Sequence, residues 1–159
     1  MRGLVLILLM AAGPAHAAGL TQPQVRAFVA QQSRAWNAGD LAAYFATFTP
    51  DARFTDQALG NDNKVVPYGV STQAQARAQT RKVLAKSKLR ETAAITNVSI
   101  AAGRRSARVT ADTASEIATV GAVRRVCALR VETLIATPAG LKASGQTDTI
   151  VRCRARPIG

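Results

Sequence analysis

Asp56 is the side chain of this sequence best placed to do chemistry. It ends the run Ala52-Arg53-Phe54-Thr55-Asp56, where period two puts Ala52, Phe54 and Asp56 on one face and Arg53 and Thr55 on the other. If Phe54 enters a core, Asp56 enters with it. A buried carboxylate is costly unless it is paired or put to use. As a general base it would take a proton from a ligand. As an anchor it would orient a polar group on an otherwise apolar molecule. As a structural group it would be capped by a neighbouring amide or by Arg34 or Arg53. Gln32 and Trp36 are the side chains to set against it. Val25, Phe28, Val29 and Trp36 recur at helical spacing, and Gln32 interrupts that stripe. Such a glutamine lines a pocket or satisfies a backbone group; such a tryptophan is core or a platform for a ligand. Gln32, Trp36, Phe54 and Asp56 are therefore expected to line a pocket for a small, largely apolar molecule, with Asp56 as the general base if there is catalysis.

Other chemistries are excluded by what the chain lacks. Met1 to Ala17 has the plan of a signal peptide: Arg2, an apolar stretch from Leu4 to Ala12, and Ala15-His16-Ala17 before a cut at Ala18. Its apolar run is shorter than the ~20 residues of a spanning helix. Cleavage removes His16, the one histidine, and with it any Ser-His-Asp triad, Cys-His pair or histidine metal ligand. Gly60-Asn61-Asp62-Asn63 lacks the spacing and terminal glutamate of a calcium loop. No metal and no cofactor are expected. Loss of Arg2 takes the net charge from +12 to +11. Export, to the periplasm or beyond, argues against cytoplasmic nucleic acid as the partner of that charge. The charge fits weak contact with anionic membranes, other polyanions or acidic ligands.

Local signals then set out the elements that carry these residues, in one domain from residue 18 to 159. Thr21 and Gln24 form a capping box for the first helix, which Gly39 closes. Asp40 caps a second helix with an apolar stripe of Leu41, Tyr44, Phe45 and Phe48, stopped at Thr49-Pro50-Asp51. The strand of Asp56 follows, then a loop with a short strand at Lys64 to Val66. A third helix from Ser71 to about Lys86 is capped by Thr72 and Gln75, with Ala74, Ala78 and Ala85 for close packing. Four strands end the chain, at about 90–100, 106–119, 124–137 and 142–154, with turns at Ala102-Gly103-Arg104, Val120-Gly121 and Thr137-Pro138-Ala139-Gly140. The layout is α+β.

Cys127 and Cys153 stand 13 residues either side of Gly140. A hairpin turning there brings them opposite or diagonal on one face, so an exported chain should join them. The face of Cys127, Leu129, Val131, Thr133 and Ile135 is the more apolar and is expected to look inward, leaving Glu132 outward.

The run Ala35 to Asp56, AWNAGDLAAYFATFTPDARFTD, resembles the cone-shaped domains of the nuclear transport factor 2-like superfamily, in its SnoaL-like and ketosteroid isomerase-like branch. The resemblance implies N-terminal helices packed on a strongly bent antiparallel sheet around a pocket. It places Asp56 at the proton-shuttling aspartate of the isomerase, Gln32 where that enzyme has a tyrosine donor, and Glu132 at its second, protonated donor. It also implies a third role, a scaffold that forms a homodimer through the outer sheet face. Three readings stay open: a ligand-binding protein, a proton-transfer enzyme of isomerase or cyclase type, and an interaction module.

Overall fold

The computed structural model describes residues 19–153, so the expected signal peptide, Met1 to Ala17, lies outside the described residues. Helix α1 spans Gln22–Asn37 and starts from the Thr21–Gln24 capping box. Helix α2 spans Leu41–Ala46, with the Asp40 carboxylate accepting from the Ala43 amide at 2.9 Å. Gly39 between them has φ +69°, which the left-handed turn requires. Strands β1 (Phe48–Leu59) and β2 (Val65–Thr72) form a hairpin, and α3 (Gln73–Leu84) follows from its Thr72–Gln75 capping box. Strands β3 (Lys88–Ile100), β4 (Ser106–Thr119), β5 (Ala122–Thr137) and β6 (Gly140–Val151) form an antiparallel meander.

The sheet order is β2-β1-β6-β5-β4-β3. Strand β1 runs parallel to β6, with Arg53 to Ala58 beside Gly145 to Ile150, so the sheet is mixed rather than antiparallel. That pair joins the first strand to the last, and no local turn signal announces it. Three irregularities in register, at Asp56/Gln57, Ile95/Asn97 and Thr133/Leu134, mark bulges, which bend the strands that hold them.

Two local expectations are corrected. The second helix does not reach Phe48; β1 starts there and runs through Pro50, leaving a gap in pairing with β6 between Phe48 and Arg53. That gap is where a residue without an N–H is tolerated. Helix α3 buries none of its residues; Ala74 and Ala78 are exposed, and Ala76 meets the core instead.

The core is aromatic where helices meet sheet. Tyr44 lies 4.8 Å from Trp36, 5.2 Å from Phe45 and 5.3 Å from Phe48 between ring centres, and Phe48 lies 4.7 Å from Phe54. Val25 and Leu134 complete it with fully buried side chains. Cys127 and Cys153 form a disulfide with Cα atoms 5.2 Å apart. Cys127 faces Val151 in register, so the bond runs diagonally, as the spacing about Gly140 allows.

Candidate functional site

Glu132 is buried, which reverses the expected orientation of β5. Ala128, Arg130, Glu132 and Leu134 face the helices, whereas Leu129 and Thr133 are exposed. Hydrophobicity alone favours the other face. The inward charges are tolerated because they are compensated. The Arg130 guanidinium is held between two carboxylates: Nη1 donates to Glu91 Oε1 at 2.7 Å, and Nε donates to Asp148 Oδ1 at 2.8 Å. Nη2 donates to a second oxygen of each, at 3.1 and 3.3 Å. Such bidentate, charge-assisted bonds offset the desolvation of a buried ion where a single contact does not.

The network extends beyond the arginine. Ser115 Oγ donates to Glu91 Oε2 at 2.9 Å, and Asn37 grips the Glu91 backbone in both directions, at 2.7 and 2.9 Å. Gln146 Nε2 donates to Asp148 Oδ2 at 2.8 Å, and the buried Tyr44 hydroxyl donates to Gln146 Oε1 at 3.0 Å. Burial holds the Tyr44 phenol protonated by pushing its pKa far above the usual value. Gln32 is buried on α1; its Nε2 donates to Thr47 Oγ1 at 3.1 Å, and it also favours the ionised form of Glu132.

Glu132 titrates at about 7, raised from 4.5 chiefly by burial. Arg130 opposes the rise, while Asp148 and Glu91 add to it. Glu132, Arg130, Gln32 and Trp36 surround a cavity of about 20 Å³, room for about one water. The Trp36 indole Nε1 lies buried on its wall with no hydrogen-bond acceptor among the described residues.

The structure thus brings Gln32, Trp36 and Glu132 together and sets Phe54 and Asp56 apart from them. Phe54 packs among Phe45 and Phe48 in the aromatic core. Asp56 is half-buried beside Asp148, its partner in the parallel register, and opposite Gly69 on β2. Burial first, and Asp148 second, raise its pKa above the usual value. No arginine pairs with it among the described residues, so neither Arg34 nor Arg53 caps it. Sequence reasoning missed Tyr44, Glu91, Arg130, Gln146 and Asp148 as members of a site. No group of side chains among the described residues has the makings of a metal site.

A second, larger space lies at the other side of β5. A groove of about 830 Å³ runs from the tip of the β1–β2 hairpin across β5 and β4 to β3. Leu59, Ala94, Ala114, Leu129 and Val151 give it an apolar lining, and Asp112, Arg125 and Arg152 add charge. Arg152 Nη2 donates to Asn61 Oδ1 at 2.7 Å, tying the hairpin tip to the end of β6 beside the disulfide.

Comparison with known proteins places this architecture. No model of a known protein family matches the sequence, and no curated protein matches it. Solved structures do. A conserved protein from Planctomyces limnophilus is similar with a TM-score of 0.68 at 12% identity, over 82% of this chain and 95% of that one. A ketosteroid isomerase-like protein from Erwinia carotovora gives 0.63 at 15% identity, over 82% and 96%. An NTF-2 like protein from Shewanella oneidensis gives 0.58 at 13%, over 80% and 97%.

Proposed function

From a chain with the nuclear transport factor 2-like fold, we propose a binding protein for a small, largely apolar molecule that carries an anionic group, seated in the groove over β5 rather than inside the cone. The observation that carries this against a pocket inside the cone is one of volume; a space of similar size, about 850 Å³, lies between α1 and the β5–β6 turn, lined by Leu20, Phe28 and Lys142. Small-molecule sites occupy roughly 300–1,000 Å³. The groove, at about 830 Å³, lies within that range; the interior cavity, at about 20 Å³, admits a water. The lining supplies apolar contact through Leu129, Ala114 and Val151, and positive charge through Arg125 and Arg152. Of the residues expected to line a pocket, Gln32 and Trp36 border that interior cavity, while Phe54 packs against Phe45 and Phe48. Work outside the cytoplasm belongs to the same proposal. The signal-like N-terminus and the disulfide support it, and no helix among the described residues is long and apolar enough to cross a membrane.

One observation favours a second reading. Glu132, poised at about 7 beside an unpartnered indole N–H, is better suited to exchange protons near neutrality than the half-buried Asp56. In a proton-transfer enzyme of this fold the acid–base role therefore passes from Asp56 to Glu132, once the cavity widens to admit a substrate.

Titration with anilinonaphthalene sulfonate, an apolar anion, separates the readings. Binding at one site should be lost in Ala114→Trp, which fills the groove, and retained in Trp36→Phe. The reverse pattern would move the site indoors and favour Glu132. If a second copy covers the groove, the protein should run as a dimer and the probe should not bind; that outcome would support the interaction-module reading and defeat the groove.

A further inference from the structure

The free end of the β4–β5 hairpin combines two properties that separately are ordinary and together select a partner. The first is apolar exposure at the apex. Val120 is fully exposed and Val123 is 71% exposed, on either side of the turn at Gly121, where φ is +80°. Turn apices are normally built from glycine, asparagine, aspartate or serine, which water solvates. The second is a collar of cations behind that apex. Lys88 lies in one cross-strand row with Ala118 and Val123, and Arg90 two rows on with Glu116 and Arg125, the row of Leu89, Ile117 and Arg124 lying between. Arg124 and Lys86 complete a set of five basic residues around one acidic residue, Glu116.

On its β5 edge the hairpin also stands clear of the sheet, while β3 flanks β4 as far as Ala118. Pairing of β5 with β6 starts at Cys127, so Ala122 to Val126 have no strand on that side among the described residues. All residues from Thr119 to Arg125 are exposed. Helix α1 ends at Asn37, whose contact with Glu91 lies on the body side of these rows. At about 3.4 Å per residue the apex extends roughly 20 Å past the first β5–β6 pair.

We propose that this hairpin end seats on an anionic lipid bilayer. The cations are placed to meet the headgroups, and Val120, ahead of them, with Val123, level with Lys88, to enter the boundary with the acyl chains. A soluble polyanion would use the cations and leave the valines in water, so the apolar apex favours the bilayer. The surface is separate from the groove lining except for Arg125 at the shared border.

The test is co-sedimentation of the mature protein with vesicles of phosphatidylcholine, with and without about a quarter of phosphatidylglycerol. A parallel measurement uses heparin. Binding is expected only to the anionic vesicles and should weaken as salt rises. Val120→Ser with Val123→Ser should weaken vesicle binding about tenfold and leave heparin binding unchanged. Lys88→Gln with Arg124→Gln, which spares Arg125, should weaken vesicle binding roughly 30-fold and heparin binding as well. All four positions are exposed, three at the hairpin end and Lys88 at the start of β3 beside it, and equal unfolding midpoints would confirm that the variants fold. Vesicle binding that ignores the valine changes would overturn the proposal in favour of bulk charge. Binding to heparin with none to anionic vesicles would overturn it in favour of a polyanion.

Discussion

Replacing Glu132 with glutamine should make the protein more stable at pH 8 and nearly indifferent to pH between 5 and 8. The folded chain holds the Glu132 proton up to a pH of about 7, whereas an unperturbed glutamate loses it near 4.5. Between those values the folded state binds more protons than the unfolded state. Stability therefore falls as pH rises through that window and levels off above it. At about 1.4 kcal/mol per pH unit, the ionised carboxylate costs the folded protein about 3 kcal/mol above pH 7. The cause is burial, which Arg130 offsets only in part because Glu91 and Asp148 already hold its guanidinium. Glutamine keeps the shape, has no charge to bury, and should recover most of that amount at pH 8 and little at pH 5. His16 is the one histidine of the sequence and lies in the expected leader, so protein cleaved at Ala18 has no histidine to obscure the result. Urea unfolding of both proteins at pH 5, 6, 7 and 8 gives the two slopes directly. Equal stability of the parent protein at pH 5 and pH 8, or an equal slope in the glutamine variant, would refute the reasoning.

Three further outcomes follow from the same geometry. Arg130→Ala should lower stability by about 3–5 kcal/mol, because it leaves the buried Glu91 and the partly buried Asp148 without their counter-ion; denaturant midpoints check this, and a loss below about 1 kcal/mol would mean these ion pairs are no better than surface ones. Asp56→Asn should leave stability equal or raise it by less than about 1 kcal/mol at neutral pH, since Asp56 sits beside Asp148 with no cation of its own and remains partly in water; a clear loss would restore the structural cap. Reduction of Cys127–Cys153 should lower stability by about 3–4 kcal/mol for a loop of this length, read as a shift in unfolding midpoint with reductant; thiol titration of the non-reduced protein should find none free.

Helix starts were legible because capping chemistry is local. Thr21 with Gln24, Asp40, and Thr72 with Gln75 each cap the helix they announce. The meander and the disulfide were legible for a similar reason, since turns and symmetric cysteines lie within one hairpin. The ion network was not, because its members come from β3, β5 and β6 and meet through a bulge. Thr137 pairs with Gly140 and Leu134 with Ala143, a register that would bring Thr147 opposite Arg130. The shift between Thr133 and Leu134 brings Asp148 there instead. The face of β5 was misjudged for a related reason. Leu129 and Val131 outweigh Arg130 and Glu132 in hydrophobicity, and only the carboxylates of Glu91 and Asp148 make the charged face the buried one. Phe54 points inward as its alternation requires, but there it packs against Phe45 and Phe48, while Asp56 stands half-buried beside Asp148.

The most direct test of the groove is a crystal structure of the mature protein with anilinonaphthalene sulfonate bound. The account predicts ligand density over β5, its ring system against Leu129 and Ala114 and its sulfonate toward Arg125 or Arg152, with the Arg130 network undisturbed. Density beneath α1, beside Trp36 and Glu132, would contradict it.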